Sequence, residues 1–121
     1  MKAELIPLSP LEQHEPVLLT EFPIVVGRAV HAELQVVDRW ISRSHCEIDE
    51  IDGTLVVRDL ESSNGTFANG SAVSSSPLLP DDLLRIGIST FKVSYKRTTS
   101  KAPPPVVYAN TPVLAGGGVE P

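Results

Sequence analysis

A chain of 121 residues with 41% apolar side chains suits one domain with a core of its own and excludes a wholly disordered polymer. A formal net charge of −5 argues against a nucleic-acid binder, which needs a basic face, and requires any anion site to be local, built from a few aimed cations and backbone donors. The one cysteine, Cys46, rules out an intrachain disulfide and reads as a small buried residue of an apolar strand.

The opening Met1-Lys2-Ala3-Glu4-Leu5 lacks a long apolar run, so no secretory signal is expected, and no stretch is apolar for long enough to span a bilayer. A cytoplasmic protein without membrane contact is the expectation. The sequons Asn64-Gly65-Thr66 and Asn69-Gly70-Ser71 then read as turns.

No helical period is sustained. Short apolar runs recur between Gly, Asn, Asp, Ser and Pro, as in an all-β sandwich or barrel. In chain order, strands are expected over Ala3 to Leu8, Val17 to Thr20, Ile24 to Val26, Leu34 to Val37 and Cys46 to Ile51. Further strands are expected over Thr54 to Leu60, Thr66 to Ala68, Leu83 to Ile86 and Thr90 to Lys96. The last alternates most clearly, with Phe91, Val93 and Tyr95 on one face and Lys92, Ser94 and Lys96 on the other. Asp52-Gly53 and Asn69-Gly70 are two-residue hairpin signals, the second pairing Thr66-Phe67-Ala68 with residues near Ala72-Val73. Pro80-Asp81-Asp82 reads as a turn. After Arg97 the pattern changes: Pro103-Pro104-Pro105 and Gly116-Gly117-Gly118 mark a flexible tail or linker, which divides the chain into a domain over 1–97 and a tail over 98–121.

Singly, the polar turn residues say little. An arginine after a glycine, serines in a loop and a lone histidine opening a strand all have ordinary structural roles. Their order is informative: Gly27-Arg28, then Ser42-Arg43-x-His45, then Asp59-Leu60-x-Ser62-Ser63-Asn64-Gly65-Thr66-Phe67, then Asn69-Gly70, then Asp82-x-Leu84-x-Ile86-Gly87. From about Ile24 to Tyr95 this resembles the forkhead-associated (FHA) domain family. The resemblance implies an all-β, two-sheet sandwich of FHA/SMAD-like type, with about eleven strands and ligand loops at one end that bind phosphothreonine peptides.

It also implies roles. Arg28 and Ser42 would contact the phosphate, and Arg43 the phosphate or the peptide backbone. Ser63 would line the phosphate and methyl pocket, and Asn64 would clamp the peptide main chain. Gly27, His45 and Gly65 would support the loops. Arg39, Trp40 and His31 are candidates for peptide specificity, although an indole packed on the sandwich rim is the plainer account of Trp40. The chemistry suits the residue types. A phosphothreonine carries a charge of about −1.5 to −2 and three acceptor oxygens, arginine offers a planar fork of permanent donors, and neither metal nor cofactor is needed. The implied partner is a threonine-phosphorylated protein, the product of a Ser/Thr kinase, bound by a monomer in signalling.

Two other readings stand beside this one. A phosphate-independent FHA scaffold or oligomerisation domain would use the same fold. A small Ser-His hydrolase would use Ser42 and His45, three residues apart, although no G-x-S-x-G turn or orienting Asp accompanies them. A metal site from His31, His45 and Cys46 has no recognised spacing.

Overall fold

A computed structural model describes residues 1–8 and 15–109. Among these, eleven strands run in chain order: β1 (Ala3–Pro7), β2 (Val17–Leu19), β3 (Ile24–Gly27), β4 (Leu34–Gln35), β5 (Cys46–Ile51), β6 (Thr54–Asp59), β7 (Thr66–Ala68), β8 (Ser71–Leu78), β9 (Leu83–Ile86), β10 (Ser89–Tyr95) and β11 (Val107–Tyr108). No helix is long and apolar enough to cross a membrane among the described residues.

The strands form one mixed sheet in the order β2-β1-β10-β9-β7-β8-β6-β5-β3-β4, curled on itself. β8 makes the curl. Its first half pairs with β7 (Thr66↔Val73, Ala68↔Ser71), and its second half pairs with β6 (Val57↔Ser76, Leu55↔Leu78). Two faces of a sandwich are thus joined through one long strand. Leu5, Leu84, Ile86 and Val93 meet Val26, Ile48, Leu55 and Val57 between the faces, all of them 0–1% exposed. Alternation produces this directly. In β10, Ser89, Phe91 and Val93 are buried while Thr90, Lys92 and Ser94 are only half-buried.

Both dipeptide turns fold as expected from residues that tolerate positive φ: Asp52 and Gly53 at 51° and 83°, Asn69 and Gly70 at 50° and 88°. The hairpins they close fix the register, Ile51↔Thr54 in one and Ala68↔Ser71 in the other.

Several strands begin or end one residue from expectation, and β4, β8 and β11 depart further. β4 stops at Gln35 rather than Val37: the Val36 N–H still bonds the Gly27 carbonyl at 2.9 Å, but the Asp38 N–H turns back to the Val36 carbonyl at 3.1 Å and Val37 stands 83% exposed. β8 continues to Leu78 through Ser74-Ser75-Ser76-Pro77, a stretch with turn-like composition that is held extended by its β6 partners. The residues after Arg97 divide in two. Up to Ala109 they lie along the sheet: Arg97 Nε donates to Thr54 Oγ1 at 2.8 Å, Lys101 Nζ stands 3.5 Å from Asp52, and β11 pairs with β8 through Val107↔Ser75 and Tyr108↔Val73. The rest of the expected tail, 110–121, lies outside the described residues.

Candidate functional site

Strands β3, β5 and β6 point their site-side ends at one pole of the sandwich, and the loops after β3, before β5 and after β6 meet there. The meeting begins at Gly27. A Cβ on this residue would stand 2.0 Å from the Arg43 carbonyl oxygen, so only glycine allows the two loops to touch. Backbone bonds close the contact: Arg28 N–H to Ser42 O at 3.0 Å and Ala29 N–H to Arg43 O at 3.2 Å. Arg28 is thereby fixed beside Ser42, and its Nε donates to the Ile41 carbonyl at 3.0 Å. With Nε committed, the two terminal nitrogens of the fork are left to face outward.

His45 is fully buried and braces the pole from behind. Its Nδ1 accepts the Ser42 N–H at 3.0 Å, and its Nε2 lies 2.8 Å from the Gly65 carbonyl. The Ser42 amide can only donate and the Gly65 carbonyl can only accept, so the ring is the tautomer with its proton on Nε2. One imidazole thus ties the loop before β5 to the loop after β6. Neither ring nitrogen is left to act as a base toward the Ser42 hydroxyl, which removes the geometry a Ser-His hydrolase requires.

The Ser42 hydroxyl has a separate partner. Its Oγ accepts the Ser63 N–H at 2.9 Å, which leaves the hydroxyl proton and one lone pair to the outside. Asn64 Nδ2 donates to the Trp40 carbonyl at 2.8 Å, which leaves Oδ1 and the second amide proton. Arg28, Arg43, Ser63 and Asn64 are all exposed, and none of the three ion pairs found among the described residues involves Arg28 or Arg43. Ser42, Arg28, Arg43, Ser63 and Asn64 therefore share one pole, with unspent donors on an open surface. Gly65, at φ 91°, turns the chain back into β7. Arg39 and Trp40 border the same pole, with the Arg39 guanidinium 5.1 Å from the indole centroid and Trp40 47% exposed rather than packed away. His31 is exposed on the loop after β3.

Two carboxylates organise the pole without having been assigned roles in advance. Asp59 accepts Ser62 Oγ–H at 2.5 Å, Thr66 Oγ1–H at 2.8 Å and the Ser62 N–H at 3.2 Å. Ser62 Oγ in turn accepts the Gly65 N–H at 3.0 Å, so the Ser62–Gly65 turn is pinned from inside. Asp38, 5% exposed, accepts the Trp40 N–H at 2.8 Å, the Ile88 N–H at 3.0 Å and Ser89 Oγ–H at 2.9 Å, fastening the loop before β5 to the β9–β10 turn. The spacing of Asp59 from Asn64 was a visible signal. Asp38 carried none, since an aspartate between short apolar runs reads as a turn.

Cys46 is buried next to His45, and burial together with the nearby Asp59 pushes its thiol up to about 12. At that value the thiol stays protonated at neutral pH. Among the described residues no cluster of three His, Cys, Asp or Glu side chains could hold a metal ion.

Comparison with known proteins places this pole in a family. The family model described as FHA domain matches residues 24–87. The chain is 34% identical over 71 residues to the FHA domain-containing protein FhaA of Mycobacterium tuberculosis, a match covering 59% of this chain and 14% of FhaA. It is 38% identical over 68 residues to the FHA domain-containing protein At4g14490 of Arabidopsis thaliana, covering 53% of this chain and 18% of that protein. The matches thus span less than a fifth of either relative. A solved structure concerned with phosphothreonine-dependent FHA domain interactions superposes with a TM-score of 0.72 at 27% identity, covering 79% of this chain and 98% of that one. The loops joined through Gly27 and His45 lie within the matched residues, which make up more than half of the chain, and the fold superposes on that solved FHA domain: the chain belongs to the FHA domain family.

Proposed function

We propose that this domain binds phosphothreonine peptides and so mediates phosphorylation-dependent association with a partner protein, without metal or cofactor. The observation that carries the reading is the state of Arg28, Ser42 and Asn64. Each side chain is held by one structural bond, and each keeps further hydrogen-bonding groups to offer a ligand at the pole where the three loops meet. Donors already fixed in place lose little entropy when an anion arrives.

In this reading the terminal nitrogens of Arg28 and the Arg43 guanidinium neutralise the phosphate. Ser42 donates its hydroxyl proton to a phosphate oxygen. Ser63 lines the pocket beside it, and Asn64 holds the peptide main chain through Oδ1 and its remaining amide proton. Charge-assisted bonds of this kind are worth about 1.5–3 kcal/mol each, enough for two or three of them to supply much of the ~8 kcal/mol of a micromolar complex. Trp40 and Arg39 border the surface over which the peptide leaves, and they, with His31, are the side chains assigned to sequence preference. The domain acts as a monomer in the cytoplasm, its sandwich core lying within residues 1–97 and β11 added along β8.

A phosphothreonine-peptide array probed with the wild-type chain and with Arg28→Ala tests the reading. Signals confined to phosphorylated spots and lost in the variant support it. Equal signals on unphosphorylated spots would favour a phosphate-independent scaffold instead.

A further inference from the structure

The two ends of the curled sheet lie side by side and leave a gap between them. β2 closes one end of the strand order and β4 the other. Between them runs a groove of about 340 Å³, with Val17 and Leu19 on one bank and Phe22, Ile24 and Leu34 on the other. Val17, Phe22 and Leu34 lean on the core and stay half-open, and Leu18 is 58% exposed. The groove is separate from the phosphate pole: it takes in Ile24, where β3 starts, while β3 reaches the pole at Gly27.

The two banks differ in what they offer a ligand. β2 pairs with β1 alone, and among the described residues no backbone bond outside the strand ladders involves Val17, Leu18 or Leu19. The outer backbone groups of β2 are therefore open to a further strand. The β3 bank is closed. The Val25 N–H already donates to Glu33 Oε1 at 2.7 Å, and Pro23 has no N–H to give. A chain lying in the groove thus pairs with β2 and turns its other flank to Glu33.

Charge selects that chain. The residues along the groove include Glu21 and Glu33 and no Lys, Arg or His. Glu4, exposed between two buried neighbours, stands across the ladder from Leu18, and Glu15 lies two residues before β2. None of these four carboxylates is in an ion pair among the described residues. Lys2, the cation at the start of β1, lines a different hollow with Glu50 and Lys96. A second copy of this chain is a poor occupant. An antiparallel β2–β2 pair centred on Leu18 sets Glu15 opposite Glu21, and like charges facing each other across strands are destabilising. A segment with Lys or Arg in those places meets attraction instead.

We infer that β2 and this groove bind an extended segment of a partner protein in which apolar residues alternate with Lys or Arg. An added strand points successive side chains to opposite faces. Its apolar set enters the groove against Val17, Phe22 and Leu34, while its backbone continues the β1–β2 ladder. Cations on its other face meet Glu4 beyond Leu18, and those at its ends meet Glu15, Glu21 and Glu33. Three residues of β2 span only about 10 Å, so the contact is weak by itself and adds affinity to one made elsewhere on the same partner.

The test uses the full chain, isotope-labelled for amide NMR, and a capped heptapeptide of alternating arginine and valine. Saturable shifts are expected at the amides of Val17, Leu18, Leu19, Phe22 and Leu34, with those of Arg28, Ser42 and Asn64 unmoved. The same peptide with glutamate in place of arginine should not bind. Glu21→Lys, on an exposed side chain outside the phosphate pole, should weaken the arginine peptide about threefold or more and strengthen the glutamate peptide in turn. Two further peptides, one N-methylated at the valines and one at the arginines, ask whether backbone pairing carries the contact. In an added strand one of these two sets of N–H groups faces β2, so one version should lose binding and the other keep it. Both versions binding like the parent would overturn the proposal, as would shifts at the phosphate pole in place of β2, or no shift at all. Concentration-dependent shifts at β2 in the chain alone would assign the edge to a second copy and overturn it too. Because the peptides carry no phosphate, the outcome is independent of the reading of the phosphate pole.

Discussion

The Ser42 hydroxyl oxygen accepts the backbone N–H of Ser63 at 2.9 Å, so a side chain from the loop before β5 is oriented by the loop after β6, 21 residues away. That bond fixes where the Ser42 proton can point. It also makes Ser42 a joint between loops as well as a ligand group, which separates the expected behaviour of its variants from those of Arg28.

Arg28→Ala should lower phosphopeptide affinity about 10- to 150-fold, the equivalent of one charge-assisted bond of ~1.5–3 kcal/mol, with little change in melting temperature, because its side chain makes one bond to the Ile41 carbonyl and is otherwise exposed. Ser42→Ala should lose affinity and also loosen the Ser63 turn. Isothermal titration beside thermal unfolding distinguishes the two.

Asp38→Ala should destabilise the fold by about 3 kcal/mol or more, since it strips a buried acceptor from two backbone N–H groups and the Ser89 hydroxyl. Gly87→Ala should act on the same joint. Its Cβ would stand 2.7 Å from Asp38 Oδ2, and its φ of 60° already disfavours a side chain. Both variants should broaden the amide resonances of residues 37–41 and 88 and weaken peptide binding without touching a ligand group.

Cys46 should resist alkylation in the native state at pH 8, and iodoacetamide should label it only on unfolding. Its folded thiol titrates near 12, above its ordinary value of 9.0. Above pH 9 the unfolded state therefore gives up the proton first, and stability falls as pH climbs toward 12, by at most about 1.4 kcal/mol per pH unit from this group. Denaturant midpoints at pH 8, 9 and 10 check the sign.

Trp40→Ala should leave phosphate dependence intact and reorder the peptides of a phosphothreonine library, because the indole is exposed beside Asn64, whose side chain bonds the Trp40 carbonyl. An unchanged ranking would return Trp40 to a packing role.

Much of this was legible in the sequence because the signals are local. Asp-Gly and Asn-Gly fix two hairpins, and Cys46–Ile51, Thr66–Ala68 and Leu83–Ile86 begin and end where their composition says. The convergence of Gly27, Arg28, Ser42, Asn64 and Gly65 was implied by the family resemblance that their order along the chain carries. What could not be read was set by distant partners. β8 runs through three serines and a proline because β6 and β7 hold it, and β11 is strand only because β8 offers an edge. Asp38 looks like a turn residue until Ile88 and Ser89 arrive 50 residues later. Trp40 fitted two readings; its indole stands 47% exposed, and the ranking of a peptide library decides between them.

The most direct measurement is a titration of the wild-type chain with one phosphothreonine peptide drawn from an array, its phosphoserine twin and its unmodified form. Micromolar affinity for the first, weaker binding of the second and none of the third is the expected result. Equal affinity for all three would contradict a site built to grip phosphate.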